Sequence, residues 1–233
     1  MSGAEPSVDP ARLKPDGPGP GPDAGPGHEL APRRYPTQQR SRERFDRILA
    51  ATRALLLDAG IEALSCEAIA LQAGVPVGTV YQFFPNKFAI VCELDRLDTG
   101  SVMAALDEFA QQIPTLDWPD ELDALIGHLA HAWKEDPSRR AVWLSMQATS
   151  ATREAALSHQ HLLGSRVARI IAPLTPNTHR RERDTVGSVV VHLCYSMLNF
   201  SVRDGHAHPT AVRELKRVLR AYLSQVAVDD GSA

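Results

Sequence analysis

"VGTVYQFFPNKF", residues 77–88, places Tyr81, Phe83, Phe84 and Phe88 within eight positions, in a chain whose aromatics make up only 6% of its residues. Rings want a core, whereas the Tyr81 hydroxyl and the Lys87 ammonium want water or an anion. A short surface helix can meet both demands. Pro76 is pre-set for a first helical turn, Pro85 stops the helix, and Asn86 can cap the next one. The spacing predicts a helix over Pro76–Phe83. At 100° per residue, Val77, Val80, Tyr81 and Phe84 fall on one side as its anchor. Gly78, Thr79, Gln82 and Phe83 fall on the other, a small and weakly polar face suited to a groove about 12 Å wide.

N-terminal to this helix, Ser65 can cap a second short helix over Ser65–Gln72, with Glu67 near its positive end. The turn "AGV", residues 73–75, joins the two helices as a helix-turn-helix. Upstream, Phe45, Ile48, Leu49, Thr52, Leu55, Leu56 and Ala59 keep helical spacing until Gly60. Seven arginines lie between Arg33 and Arg53 against Glu43 and Asp46, in a chain of net charge −3. A local basic patch on a mildly acidic protein suits site-restricted binding of a polyanion. Lys87 extends it on the far side of the motif.

Downstream, helical patterns run from Asn86 through Gln112, Pro119–Glu135, Ser138–Thr149, Arg153–Ile171, Thr178–Arg203 and Pro209–Val228. No stretch reads as a strand, so the fold class is all-α: a three-helix helix-turn-helix unit followed by a larger helical domain. The expected boundaries are a Pro/Gly-rich tail at 1–36, a first domain at 37–98, a second at 99–228 and a tail at 229–233. Eight of the 17 prolines and six of the 15 glycines fall in residues 1–32. Such a composition cannot bury enough surface to offset its ordering entropy, so the segment is expected to be disordered.

Other chemistries lack support in the 233-residue sequence. Cys66, Cys92 and Cys194 are scattered without metal-ligand spacing. His128 and His131 are one turn apart but have no completing ligand. His159, His161, His206 and His208 read as surface or loop residues. No phosphate loop, nucleophile elbow or HExxH occurs, so no catalytic residue, metal or cofactor is assigned. No secretory signal is present, and Val186–Val202 is too short to span a bilayer, so a cytoplasmic chain without a membrane partner is expected.

The stretch "ILAATRALLLDAGIEALSCEAIALQAGVPVGTVYQFFPNK" resembles the N-terminal signature of the TetR family of bacterial transcriptional regulators. The matching landmarks are Ile48–Ala51, Gly60, Ile69-Ala70, Ala73–Val75, Gly78–Tyr81, Phe84 and Lys87. The resemblance implies that Pro76–Phe83 is a recognition helix on a double-stranded DNA operator. Thr79 and Tyr81 would meet phosphates or base edges, Lys87 a phosphate, and Ser65 a phosphate as well as its cap. Cys66 stands where relatives often have a second threonine, and Phe83 where many have histidine. Among base-reading candidates Gln82 suits an adenine, and Val77 or Thr79 a thymine methyl. The interface residues are thus Arg42, Ser65, Val77, Gly78, Thr79, Tyr81, Gln82 and Lys87, with Arg33, Arg34 and Arg40 as an arm toward a minor groove.

The resemblance further implies a C-terminal domain that binds a small-molecule effector and forms a homodimer through the last two helices. Val186, Val190, Leu193, Met197, Leu215, Leu219 and Tyr222 are the expected dimer contacts, with Gly187 permitting close approach. Trp143, Met146, Gln147, His192 and Asn199 are candidates to line an effector cavity. The expected function is a repressor released from a palindromic operator by its effector. The alternatives are an activator, a ligand-independent regulator, or an all-α binding protein with a vestigial helix-turn-helix.

Overall fold

The computed structural model describes residues 30–112, 118–202 and 208–231, all helix and connecting turns with no strand among them. The bulk of the expected tail, residues 1–29, lies outside the described residues, as do His206 and residues 232–233.

The first helix, α1 (Gln39–Ala59), ends at Gly60, whose φ of 73° suits only a residue without Cβ strain. Next, α2 (Cys66–Ala73) is capped by Ser65, whose Oγ accepts the Ala68 N–H at 3.1 Å. Gly74 closes α2 at φ 62°, and the Val75 N–H reaches back to the Ala70 carbonyl at 3.0 Å. The third helix, α3 (Val77–Phe83), has only seven residues, and Phe84 caps it in an extended conformation. Asn86 Oδ1 accepts the Ala89 N–H at 2.9 Å and starts α4 (Lys87–Gln112), which continues through Gly100.

After α4 come α5 (Trp118–Glu135), α6 (Pro137–Ser145) and α7 (Ser150–Ile171). The chain ends in α8 (Arg180–Ser201) and α9 (Pro209–Gly231). Asp136 caps α6 by accepting the Ser138 N–H at 3.1 Å. Thr149 and Thr152 form a reciprocal capping box for α7. That box ends α6 before residue 149, earlier than apolar spacing alone indicates.

Two apolar clusters form the core. One joins α1, α2, α3 and the start of α4 to Val142, Met146 and Ala156 of the later helices. The other joins the rest of α4 to α5, α7, α8 and α9. Thus α4 belongs to both, with Ile90 and Leu94 in the first and Leu106 in the second.

Between α7 and α8 the backbones nearly touch. A Cβ on Gly187 would lie 2.1 Å from the Gly164 carbonyl oxygen. The close helix approach expected of Gly187 is therefore the one between α7 and α8 within the chain.

Candidate nucleic-acid interface

On α3 the exposed residues are Val77, Gly78, Tyr81 and Gln82, while Thr79, Val80 and Phe83 are buried. The wheel is therefore rotated by about one position from the expected one. Phe84 explains this: it lies beyond the helix end in extended geometry, so 100° spacing does not place its side chain. Two expectations are corrected as a result. Thr79, 9% exposed, faces the scaffold and not a groove, and Val77, 40% exposed, is part of the outward face and not an anchor.

Phe83 is core as well, at 1% exposure. Its ring meets Phe45 edge-on at 5.4 Å, and Phe84 stacks on Phe45 at 5.0 Å. The Phe83 ring thus locks α3 to α1. The aromatic cluster continues to Tyr35, 6.1 Å from Phe45.

Tyr81 lies 39% exposed, and its hydroxyl donates toward Glu67 Oε1 at 3.4 Å. Desolvation, reinforced by Cys66 and Glu67, pushes that hydroxyl up to about 12, so it remains a donor at neutral pH. Cys66 is buried beside it, and burial raises its thiol. Lys87 is tied inward: Nζ donates to the carbonyls of Ile61 at 3.0 Å and Leu64 at 2.8 Å. It fastens the α1–α2 turn, and an ammonium has a third donor left for a phosphate.

Arg40, Arg42, Arg44 and Arg47 are exposed along α1. Arg53 is not part of that patch. Its guanidinium holds Asp98 of α4 at 2.6 Å and Ser138 of α6 at 3.1 Å. Burial raises the Asp98 carboxyl despite Arg53 and Arg139.

The expected tail is also corrected at its end, because residues 30–36 dock on the motif. The Arg33 N–H donates to the Phe83 carbonyl at 2.7 Å, and Arg34 donates to Gln82 Oε1 at 3.2 Å. Tyr35 donates to Glu93 of α4 at 3.0 Å, and Arg96 chelates the same carboxylate at 2.7 and 2.8 Å. Composition flagged the proline-rich segment as a whole and hid this aromatic-basic end.

A second feature lies in the C-terminal bundle. A cavity of about 70 Å³ is walled by side chains of α4, α5, α7, α8 and α9, among them Leu106, Trp118, Leu125, Val167 and Cys194. None of Trp143, Met146, Gln147, His192 and Asn199 lines it. Met146 is fully buried in the N-terminal cluster, its sulfur 3.9 Å from that of Cys92. Trp143 instead packs 6.5 Å from Trp133. Gln147 is half-buried in the turn after α6, and its carbonyl accepts from Arg153 at 3.4 Å. His192 points outward and bonds the Ser188 carbonyl at 2.8 Å, and Asn199 accepts from Arg140 at 2.9 Å. Polar groups drew the sequence reading, but the actual cavity is walled by apolar surface.

The expected dimer residues divide. Val186, Val190, Leu215 and Leu219 are buried in their own protomer, so they cannot be contacts. Leu193, Met197 and Tyr222 are half-buried. The outward apolar residues of these helices are Val189 and Phe200 on α8 and Val218 and Val228 on α9. The expectation failed because Val186–Val202 is apolar nearly all round, which leaves no wheel to separate inside from outside.

Among known families, residues 48–94 match the model described as bacterial regulatory proteins, tetR family. Residues 116–227 match the one described as tetracyclin repressor-like, C-terminal domain. Among curated proteins, the chain is 36% identical over 101 residues to the HTH-type transcriptional repressor KstR of Mycolicibacterium smegmatis. That match covers 41% of this chain and 46% of the relative, so it spans less than half of either. A TetR-family regulator from Streptomyces coelicolor superposes with TM-score 0.56 at 24% identity, over 78% of this chain and 99% of its own. A transcriptional regulator from Pseudomonas aeruginosa PAO1 superposes at 0.65 and 19% identity, over 82% of this chain and 93% of its own. At these identities the superpositions speak for the fold. With both halves of the chain matched, and with a capped helix-turn-helix beside a basic helix, the chain belongs to the TetR family of bacterial transcriptional regulators, which are DNA-binding proteins.

Proposed function

We propose that this regulator is a homodimeric repressor, and that a small, uncharged, apolar effector entering the C-terminal cavity releases it from a palindromic operator. The observation that carries this reading is α4. Its first residue, Lys87, fastens the turn before α2, and Val102, Leu106 and Phe109 further along it line the cavity. One rigid element thus runs from the DNA-facing motif to the cavity.

The cavity volume supports a displacement mechanism. A dry apolar cavity of about 150 Å³ accommodates a benzene-sized molecule. At about 70 Å³ this one is smaller. A larger guest must push its walls apart, and α4 is one of them. Such a guest binds the expanded state better than the compact one, and differential affinity is what shifts the population. In a dimer the two α3 helices would then lose the spacing of about 34 Å that successive major-groove faces require. The boundary between a first domain ending at 98 and a second beginning at 99 belongs to the same reading, with α4 crossing it; the docked residues 30–36 join the first domain, and α9 carries the second past 228 to Gly231. A cytoplasmic location belongs to this reading too.

The repressor role draws on the KstR resemblance, and the dimer on the outward apolar residues of α8 and α9. A palindrome upstream of the chain's own gene is the probe, followed by fluorescence anisotropy. A panel of uncharged apolar compounds is titrated in while Trp118 emission is read. Joint loss of anisotropy and change of Trp118 emission is the expected result. Release of DNA with Trp118 unaffected, or Trp118 quenching without release, would reject the coupling.

A further inference from the structure

The docked arm, residues 30–36, does more than cover α3. Arg34 is held from three directions. Its own chain is pinned by the Arg33 N–H to Phe83 carbonyl bond at 2.7 Å. Its guanidinium lies over the Phe83 ring, 5.3 Å from the centroid, and that ring is fixed in the core. Its terminal nitrogen donates to Gln82 Oε1 at 3.2 Å. A guanidinium has donors only, so the Gln82 atom facing it must be the oxygen. Gln82 is itself exposed on the outward face of α3, beside Val77, Gly78 and Tyr81.

A free glutamine reads adenine by using both ends of its amide, donating to N7 and accepting from N6. Here the accepting end is already engaged by a permanent cation. An adenine N6 amino group would have to donate beside that charge. Guanine offers N7 and O6, both acceptors, and suits the donors that the Gln82 amide nitrogen and the Arg34 guanidinium present, whereas an adenine amino group would compete with a cation for the remaining lone pair of the amide oxygen. We infer that Arg34 is a specificity-determining residue, which fixes the Gln82 amide so that the pair presents donors and selects guanine over adenine at the base pair Gln82 meets. This rests on α3 being the helix that enters the major groove, and it replaces both the adenine expected for Gln82 from its side chain alone and the minor-groove role expected for Arg34.

The test is operator selection from a randomised duplex pool by the full chain, by Arg34→Ala and by Gln82→Ala. The full chain should enrich guanine at one position of each half-site, and Gln82→Ala should level that position. Arg34→Ala should lower its guanine-to-adenine ratio by about tenfold, within the range of one good base contact, and leave the other positions alone. Adenine enrichment by the full chain overturns the inference. So does a guanine preference that Arg34→Ala keeps while Gln82→Ala loses it, or a uniform loss of binding in Arg34→Ala without a changed ratio. If Gln82→Ala alters no base preference, the placing of Gln82 in the groove fails, and the inference about Arg34 fails with it.

Discussion

Phe83 packs against Phe45 of α1 and carries the Arg34 guanidinium over its face. By spacing it belongs with Gln82 and Gly78, yet it is 1% exposed and meets Phe45 edge-on. Its neighbours explain the demand: Tyr35, Phe45 and Phe84 form one cluster joining the arm, α1 and α3. Truncation to Phe83→Ala would leave a cavity beneath the outward face of α3 and should cost about 3–5 kcal/mol. Urea denaturation of the two proteins reads the difference directly. A loss under 1 kcal/mol would mean that the ring is not the lock it looks like. The hydroxyl of Tyr81 should matter far less to folding. Its bond to Glu67 is long, at 3.4 Å, and the residue is 39% exposed, so Tyr81→Phe should change stability by no more than about 0.5 kcal/mol. Any larger effect of that change should appear in operator affinity.

At the scale of elements, much was legible in the sequence. Gly60, Ser65, Gly74, Pro85 and Asn86 mark the ends of α1 to α4 because caps and breakers are local chemistry. What could not be read was the partner each face would choose. Gly187 shows this well. Helix propensity alone says that Gly187→Ala gains about 1 kcal/mol. The new Cβ would instead lie 2.1 Å from the Gly164 carbonyl oxygen, which belongs to backbone and cannot swing aside. The change should force α7 and α8 apart and destabilise by about 1–3 kcal/mol net. A raised melting temperature would contradict the close crossing. Arg53, counted by sequence among the basic patch, is a clamp across α1, α4 and α6. Arg53→Ala should cost about 1–3 kcal/mol by leaving the half-buried Asp98 without its main partner. The sign with pH follows from the carboxyl, which burial already raises above its ordinary range. Its charged form opposes folding, more so once Arg53 is gone. The deficit of the variant should therefore be greatest at neutral pH and shrink as pH falls through the folded-state pKa. Denaturation curves across that range would expose a deficit that moves the other way.

At the scale of the molecule, the family could be read from the stretch 48–87 and the helix order from apolar spacing along the chain, whereas the cavity and the free surface could not. Both depend on which apolar residues are left over after the bundle packs, and α8 is apolar on nearly every side. Once packed, it leaves Val189 and Phe200 exposed, and α9 leaves Val218, with Leu193 and Tyr222 half-buried nearby. Val189, Leu193 and Phe200 recur at 0, 4 and 11, a single stripe along α8. Val218 and Tyr222 are one turn apart on α9, and the two helices pack together. A second copy of the chain is the occupant that the proposed palindromic operator calls for. Val189→Glu with Val218→Glu puts two charges on that surface without touching Val190 or Leu219, which are buried in the protomer. Such a variant should keep its helical signal and melt within a few degrees of the parent. It should sediment as a 25.4 kDa monomer at micromolar concentration where the parent is twice that mass. Its operator affinity should fall by at least about tenfold, because each half-site would have to be held alone. A variant that still sediments as a dimer would move the interface elsewhere, and a parent that is itself monomeric would end the dimer reading altogether.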